Sequence, residues 1–138
     1  MNRPSSETKA PQAYPVGTYH CLVDGPPEAG KMGAKQTPYL RFRCKILSPM
    51  QDVDAMQAAE QQIVGKIINV DQFITDEAAY RVNEFLGDHL GIADVPGDKT
   101  LTQAIAEAPG KQVLVKLRHE TSQDGKRVFH RVESTAHV

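Results

Sequence analysis

Cations and apolar residues alternate between Tyr39 and Ile46, and this stretch is the part of the chain best suited to binding an anion. Successive side chains of a strand point to opposite faces, so one face of this strand would carry a ring and three cations but no carboxylate. These residues are Tyr39, Arg41, Arg43 and Lys45. Like charges on one face repel each other, and ordinary solvated strands mix both signs. The pattern therefore predicts an anionic partner.

The same chemistry recurs near the C-terminus. Val128 and Val132 are predicted to face inward, which turns Phe129 outward among cations. The cations assigned to this second group are Lys116, Arg118, Arg127 and Arg131. Rings flanked by cations suit single-stranded nucleic acid, because bases stack on the rings and cations contact the phosphates. Two alternatives stay open: the rings only cover the edge of the core, and the cations form a solvated face.

The segment from Gly25 to Pro38 is predicted to be a long loop, since it holds three glycines and three prolines. Long loops in compact domains are often functional. Its two lysines, Lys31 and Lys35, are predicted to close over a bound strand of nucleic acid. A second loop with a hairpin signal, Asp124-Gly125, follows the fourth predicted strand.

Other reactive residues show no catalytic or metal-binding spacing. The histidines form no ligand pattern with the two cysteines; they are His20, His89, His119, His130 and His137. The GKMGAK stretch lacks the spacing of a nucleotide-binding phosphate loop. Asp71 has no acid or base companion. We therefore predict no catalytic residue, no metal, no cofactor and no enzyme activity.

Five strands and one main helix are predicted to form the domain. The strands cover residues 18–23, 39–47, 65–74, 111–121 and 127–133, with an insertion at 49–63 between the second and third. The main helix lies between the third and fourth strands, with Thr75 as N-cap and Gly91 as C-cap. A shorter helix is predicted near residues 100–108. This order is that of the OB-fold, a small mainly-β barrel, with Phe85 and Leu86 plugging its open end. Another β-barrel with an added helix, or an α+β sandwich, stays open.

The chain's length and composition fit one globular domain. The 138 residues carry a net charge of −1, and we predict a flexible arm at 1–13 and a single domain at 14–138. Cys21 and Cys44 fall on predicted core faces, as buried small hydrophobic residues do. The N-terminus shows no signal peptide, and no stretch approaches the ~20 apolar residues that cross a bilayer. These features predict a cytoplasmic protein without a membrane partner.

Charges are segregated along the chain. Residues 31–45 hold five cations and no carboxylate, whereas residues 46–110 hold eleven carboxylates and three cations. Residues 111–131 hold six cations against two carboxylates. In an OB-fold, ligands bind on the face of strands two and three and in the loops after strands one and four. The two basic regions coincide with those places.

Three segments resemble an uncharacterised group of phage-encoded OB-fold-like proteins that are found beside replication and recombination genes. The segments are PVGTYHCLVDGPPEAGKMGAKQTPYLRFRCKIL, GKIINVDQFITDEAAYRVNEFLGDHLGI and GKQVLVKLRHETSQDGKRVFHRVES. The resemblance implies single-stranded DNA binding in phage DNA metabolism. The chain ends in ESTAHV, without the acidic tail with which many single-strand binders recruit partners.

Together these patterns predict a non-catalytic, sequence-independent single-stranded DNA-binding protein. Replication or recombination proteins are candidate protein partners, and a homodimer is one candidate oligomeric state. The alternative is a protein-interaction module, such as a phage inhibitor of a host enzyme, that acts through the acidic middle region. DNA and RNA are not distinguished by these patterns.

Overall fold

A six-stranded antiparallel sheet forms the body of the protein in the computed structural model, which describes residues 12–95 and 97–138. The strands are β1 (Gly17–Val23), β2 (Glu28–Met32), β3 (Thr37–Pro49), β4 (Ile67–Phe73), β5 (Gln112–Thr121) and β6 (Val128–Ala136). The helices are α1 (Ala55–Glu60), α2 (Ala79–Asn83), a π-helix (Glu84–His89) and α3 (Leu101–Glu107). The predicted mainly-β fold with its main helical segment between the 65–74 and 111–121 strands is confirmed.

The long strand β3 organises the sheet. One of its edges pairs with β2 and then β1, and its other edge pairs with β4. On its other edge β1 pairs with β5, and β5 pairs with β6. The predicted loop at residues 25–38 is therefore wrong in part, because β2 pairs with the start of β3 and leaves a connection at residues 24–27 and a short turn at residues 33–36.

Alternation within the strands builds the core as predicted. Residues of β1, β3, β4 and β5 that face one side of the sheet are fully or almost fully buried. They include Tyr19, Cys21, Val23, Phe42, Cys44, Ile46, Ile68, Val70, Val113, Val115 and Leu117. Each large side chain of this kind contributes about 1.5–3 kcal/mol on burial. The opposite side of these strands, which we call the outer face, carries the polar residues.

The helical segment, which consists of α2 and the π-helix, covers the inner face of the sheet through Phe85. Phe85 is 1% exposed and meets the ring of Phe42 edge-on at 5.0 Å between centroids, and Leu86 is buried beside it. The expected N-cap, Thr75, accepts a hydrogen bond from the Ala78 N–H at 3.2 Å, although α2 begins only at Ala79. Phe85 and Leu86 therefore belong to the core, and their predicted role as the plug of a barrel end stays a prediction.

The insertion between β3 and β4 packs onto the start of β1. Asp52 accepts two hydrogen bonds from Thr18, one from the N–H and one from the hydroxyl, both at 2.8 Å. Asp54 caps α1 by accepting from the N–H groups of Met56 and Gln57. Most of the predicted N-terminal arm, residues 1–11, lies outside the described residues; next to it, the Ala13 carbonyl accepts from the Gln61 amide at 3.2 Å.

Strand pairing does not close the sheet into a barrel among the described residues, since β4 and β6 share no ladder. Other groups lie between them in what we call the β4–β6 gap. At one end the Tyr14 hydroxyl donates to the Ile67 carbonyl at 3.1 Å, while the Tyr14 N–H donates to His130 Nδ1 at 3.0 Å. At the other end His89 Nδ1 lies 2.6 Å from the Thr135 hydroxyl. A tyrosine and a helix thus join two strands that do not pair.

Candidate nucleic-acid interface

The register of β3 and β4 sets the composition of the first candidate surface. Directly opposed residues of an antiparallel pair point to the same side. The opposed pairs on the outer face are Tyr39 with Phe73, Arg41 with Asp71, Arg43 with Asn69, and Lys45 with Ile67. The predicted row of one ring and three cations is therefore present on a single face. We call these eight residues the β3–β4 surface.

β3 itself contributes no carboxylate to this face, but its neighbouring strands do. Asp71 accepts two hydrogen bonds from Arg41, at 2.8 Å from Nε and 3.0 Å from Nη2, so the pair is bidentate. Glu28 on β2 lies opposite Arg41 on its other side. The carboxylates come from neighbouring strands, and only the register of the sheet places them beside the cation. Asp71, which had no companion in the sequence, thus uses both carboxylate oxygens on Arg41.

Tyr39 is half-buried on the β3–β4 surface and is held from two sides. The Arg41 guanidinium carbon lies 5.4 Å from the ring centroid, within the range of a cation–π contact. On the other side Gly30 of β2 lies directly opposite. A Cβ atom at Gly30 would stand 2.7 Å from the Tyr39 hydroxyl oxygen. Only glycine leaves room for the ring to lie across β2.

The predicted cations differ in whether they already have a partner. Arg43 and Lys45 are exposed, and no carboxylate within ion-pair distance of either is found among the described residues. Lys35 is exposed in the turn after β2. Lys31 lies opposite Pro38 and directly follows Gly30, which lies opposite Tyr39. Because neighbouring residues of a strand point to opposite faces, the Lys31 side chain lies on the other face of the sheet from Tyr39. The structure therefore does not bring Lys31 onto the β3–β4 surface.

The β5–β6 hairpin carries the second candidate surface. Phe129 lies opposite Glu120, and Arg131 opposite Arg118. The Arg127 and Arg131 guanidinium carbons lie 5.3 and 5.5 Å from the Phe129 ring centroid. Phe129 is half-buried, so neither predicted ring is enclosed in the core. We call Lys116, Arg118, Glu120, Arg127, Phe129 and Arg131 the hairpin surface.

Carboxylates are interleaved with the cations of the hairpin surface. Glu120 lies 3.3 Å from Arg118 Nη1 and 3.7 Å from Arg131 Nε, and Lys116 Nζ lies 3.3 Å from Glu133. All of these side chains are about half exposed, so each pair is screened by water and is worth little on its own. These cations can exchange a carboxylate for a phosphate at low cost.

Tyr14 connects the two surfaces, and no local sequence signal predicts this connection. Its hydroxyl donates to the carbonyl of Ile67, which belongs to the β3–β4 surface. Its ring stacks on that of His130, the residue between Phe129 and Arg131 in the sequence, with 4.3 Å between the ring centroids and 16° between the ring planes. The Tyr14 carbonyl lies 2.7 Å from His119 Nε2. Burial, with smaller contributions from His119 and Arg131, lowers the pKa of His130. His130 must be neutral for its Nδ1 to accept the hydrogen bond from the Tyr14 N–H.

Two comparisons with known proteins gave no match: no protein-family model matches the chain, and no curated protein does. The resemblance to phage-encoded single-strand binders therefore stays a hypothesis. Within the described residues, no helix has the length and apolar character needed to span a bilayer. That same part of the chain holds no cluster of three histidine, cysteine or carboxylate side chains suited to a metal ion.

Proposed function

We propose that the protein binds single-stranded DNA without sequence preference and without catalysis, in phage-type DNA replication or recombination. The observation that carries this proposal is the pair of ring–guanidinium stacks on the outer face, Tyr39 with Arg41 and Phe129 with Arg127 and Arg131. Bases stack on such rings whatever their identity, at about 1–3 kcal/mol each. A ring in contact with a guanidinium offers the base and the phosphate contacts at the same place.

The strand order supports an OB-fold-like reading of the sheet. Taking β1 with β2 as the first OB strand, the helical segment falls between the third and fourth strands, and the β4–β6 gap is where such a barrel would close. The turns at residues 33–36 and 122–127 then correspond to the two loops that flank the OB ligand groove. In this reading the bound strand crosses β3 and β4 and continues onto the hairpin surface past Tyr14.

The cations have different roles in the proposed complex. Arg43 and Lys45 are exposed beside Asn69 and Ile67, and they contact phosphates directly. Arg41 keeps its bidentate bond to Asp71 and holds the Tyr39 ring in place. The hairpin cations follow the phosphates after the ligand crosses the gap. Lys116, Arg118 and Arg131 have half-exposed carboxylates as ion-pair partners, which they can exchange for phosphates. Lys35 contacts the ligand from the turn after β2.

The proposed setting is the cytoplasm of a host cell. Its support is the state of the cysteines: Cys21 and Cys44 are both free and buried, and burial raises the pKa of each thiol to about 12. Unpaired cysteines are usual in a reducing compartment. Replication or recombination proteins are the proposed partners, and a homodimer is one proposed assembly.

Fluorescence anisotropy with a labelled oligo-dT over a salt series tests the proposed function. For a single strand that contacts about four or five phosphates, log K should fall with log salt with a slope of about −3. Matched oligo-rU and duplex DNA should be measured under the same conditions to rank the ligand classes. Failure to bind oligo-dT at low salt, with the protein shown to be folded by circular dichroism, would refute the proposal.

A further inference from the structure

The edge of β4 that faces away from β3 carries main-chain groups without partners. The Ile74 N–H donates to the Pro38 carbonyl, and the Lys66 carbonyl accepts from the Ile46 N–H. Main-chain groups alternate in direction along an antiparallel strand, so the even-numbered residues of β4 point at β3 and the odd-numbered ones point into the β4–β6 gap. The residues that point into the gap are Ile67, Asn69, Asp71 and Phe73.

In the described part of the chain, Ile67 alone of these four residues has a hydrogen-bond partner for its carbonyl. The Ile67 carbonyl accepts from the Tyr14 hydroxyl at 3.1 Å. Among residues 12–95 and 97–138, no hydrogen bond is found for the main-chain groups of Asn69, Asp71 and Phe73 that point into the gap. This edge therefore offers donors and acceptors in alternation, one N–H and one C=O every second residue.

A cleft of about 590 Å³ lies along this edge, between β4, the helical segment and β6. Its apolar lining comes from Tyr80, Val132 and the edges of the buried Val70 and Phe85. Its charged lining comes from Asp71, Arg81, Glu84 and Glu133. The volume lies within the range of sites that bind small molecules or short peptide segments. Apolar lining beneath an unpaired strand edge is the combination that strand addition uses.

We propose that this cleft binds an extended peptide segment of a partner protein, which adds as a strand along β4. A polypeptide main chain is complementary to a row that alternates N–H and C=O at the strand repeat, whereas a nucleic-acid backbone supplies phosphate acceptors and leaves the carbonyls unpaired. The lining holds three carboxylates, Asp71, Glu84 and Glu133, against one cation, Arg81, and this balance also disfavours a phosphate ligand here. The segment pairs with residues 69–73 over about 17 Å.

The lining defines the side chains of the peptide. Alternate residues of an added strand point to opposite sides. Those that point inward meet Val70, Phe85 and Val132, so they are apolar. A basic residue at the rim matches Glu84 and Glu133. The side chains of Asn69, Asp71 and Phe73 belong to the β3–β4 surface, whereas the peptide bonds to their main-chain groups at the strand edge. The proposal does not depend on DNA binding.

Panning a display library of short random peptides on the full chain, followed by residue-resolved amide exchange, tests the proposal. Bound peptides should slow exchange of the Asn69, Asp71 and Phe73 amides, while the Ile68 and Val70 amides, already bonded to β3, change little. Oligo-dT serves as the comparison ligand. Peptides that leave those three amides unprotected, or a library that yields no binder, would overturn the proposal, as would the same protection produced by oligo-dT alone.

Matched variants at Asn69 separate its main chain from its side chain. Asn69→Pro removes an N–H that points into the gap and leaves the β3 ladder intact, whereas Asn69→Ala keeps that N–H. The selected peptide should bind Asn69→Pro at least about fivefold more weakly than Asn69→Ala. Equal affinity for the two variants contradicts strand addition at this edge. If Asn69→Pro fails to fold, the amide-exchange pattern of the unmodified protein decides alone.

Discussion

The two outer surfaces use the same ring–guanidinium pairing but hold their cations differently. On the β3–β4 surface, Arg41 is fixed by a bidentate bond to Asp71 and stacks on Tyr39. On the hairpin surface, Phe129 has two guanidinium groups, and Glu120 sits at 3.3 and 3.7 Å from its arginine partners. A bidentate pair positions its members, whereas loose exposed pairs exchange readily. The difference indicates a preformed stacking site on β3 and an adaptable charged site on the hairpin.

Reversing the charges of Arg43 and Lys45 should have the largest effect on binding. The double variant Arg43→Glu/Lys45→Glu removes two exposed cations and adds two repelling charges, so affinity for oligo-dT at low salt should fall about a hundredfold or more. The salt slope should become shallower by about one to two. Anisotropy titration measures both quantities, and the melting temperature should stay within a few degrees of the parent's.

A control for that variant uses exposed cations outside the two surfaces. Lys66→Glu/Arg81→Glu makes the same change in net charge near the start of β4 and on α2. It should weaken binding far less than Arg43→Glu/Lys45→Glu does. Equal losses from both double variants would mean that total charge, rather than the β3–β4 surface, governs binding.

Removing each ring compares the preformed site with the adaptable one. Tyr39→Ala and Phe129→Ala each remove one stacking partner, worth about 1–3 kcal/mol in binding. Tyr39→Ala should cost more, because Gly30 and Arg41 already hold that ring in place and little ordering is needed on binding. Titrations of both variants with the same oligo-dT give the two losses; a larger loss for Phe129→Ala would reverse the assignment of the two sites.

Neutralising the paired carboxylates should act in the opposite direction. Glu120→Gln frees Arg118 and Arg131, so affinity for oligo-dT should rise about two- to fivefold at low salt. Asp71→Asn frees Arg41 but also loosens its placement over Tyr39, so its gain should be smaller or absent. Parallel titrations at two salt concentrations compare the variants. A larger gain from Asp71→Asn would show that Asp71 only masks charge.

Acidification should weaken the hydrogen bond between the Tyr14 N–H and His130. We expect this to be the smallest of the predicted effects. The pKa of His130 is lowered from its ordinary 6.5, chiefly by burial. The unfolded chain therefore takes up this proton at higher pH than the folded chain does. The stabilisation by neutral His130 is complete above about pH 6.5 and is lost as the pH falls through the lowered value.

Thermal melts across this range, compared with those of His130→Asn, measure the contribution of His130. The asparagine oxygen can still accept from the Tyr14 N–H but does not titrate. Its melting temperature should therefore fall less than the parent's between pH 7.5 and about 5.5. Parallel pH profiles for the two proteins would remove His130 as the titrating group.

Alternation alone was sufficient to predict most of the sheet. The buried residues of β1, β3, β4 and β5 follow the period-two pattern, and the Phe85 face of the helical segment follows the helical one. β2 was missed, because the residues EAGKM have weak strand propensity and follow two prolines. β3 supplies the hydrogen-bonding partner that makes this segment a strand, and a partner distant in sequence leaves no local signal.

The sequence pattern predicted the rings and cations of the candidate site but not the neighbouring side chains that hold them. Whether Arg41 meets Asp71 depends on the β3–β4 register, since a shift by one residue would turn Asp71 to the other face. The π-helical turn was likewise missed. A Cβ at Gly87 would overlap the Val95 carbonyl oxygen, so the path of a later loop determines the residue needed there. Such constraints arise only after the elements pack together.

The buried cysteines have a practical consequence for studying this protein. Cys21 and Cys44 are the chain's two cysteines, and both are 0% exposed with thiols that stay protonated at neutral pH. Maleimide reagents attack thiolates, so the native protein should resist labelling. A cysteine introduced at exposed Lys126, in the β5–β6 turn, would then take up a fluorophore selectively. One substitution would give a reporter whose emission follows events at the hairpin in real time.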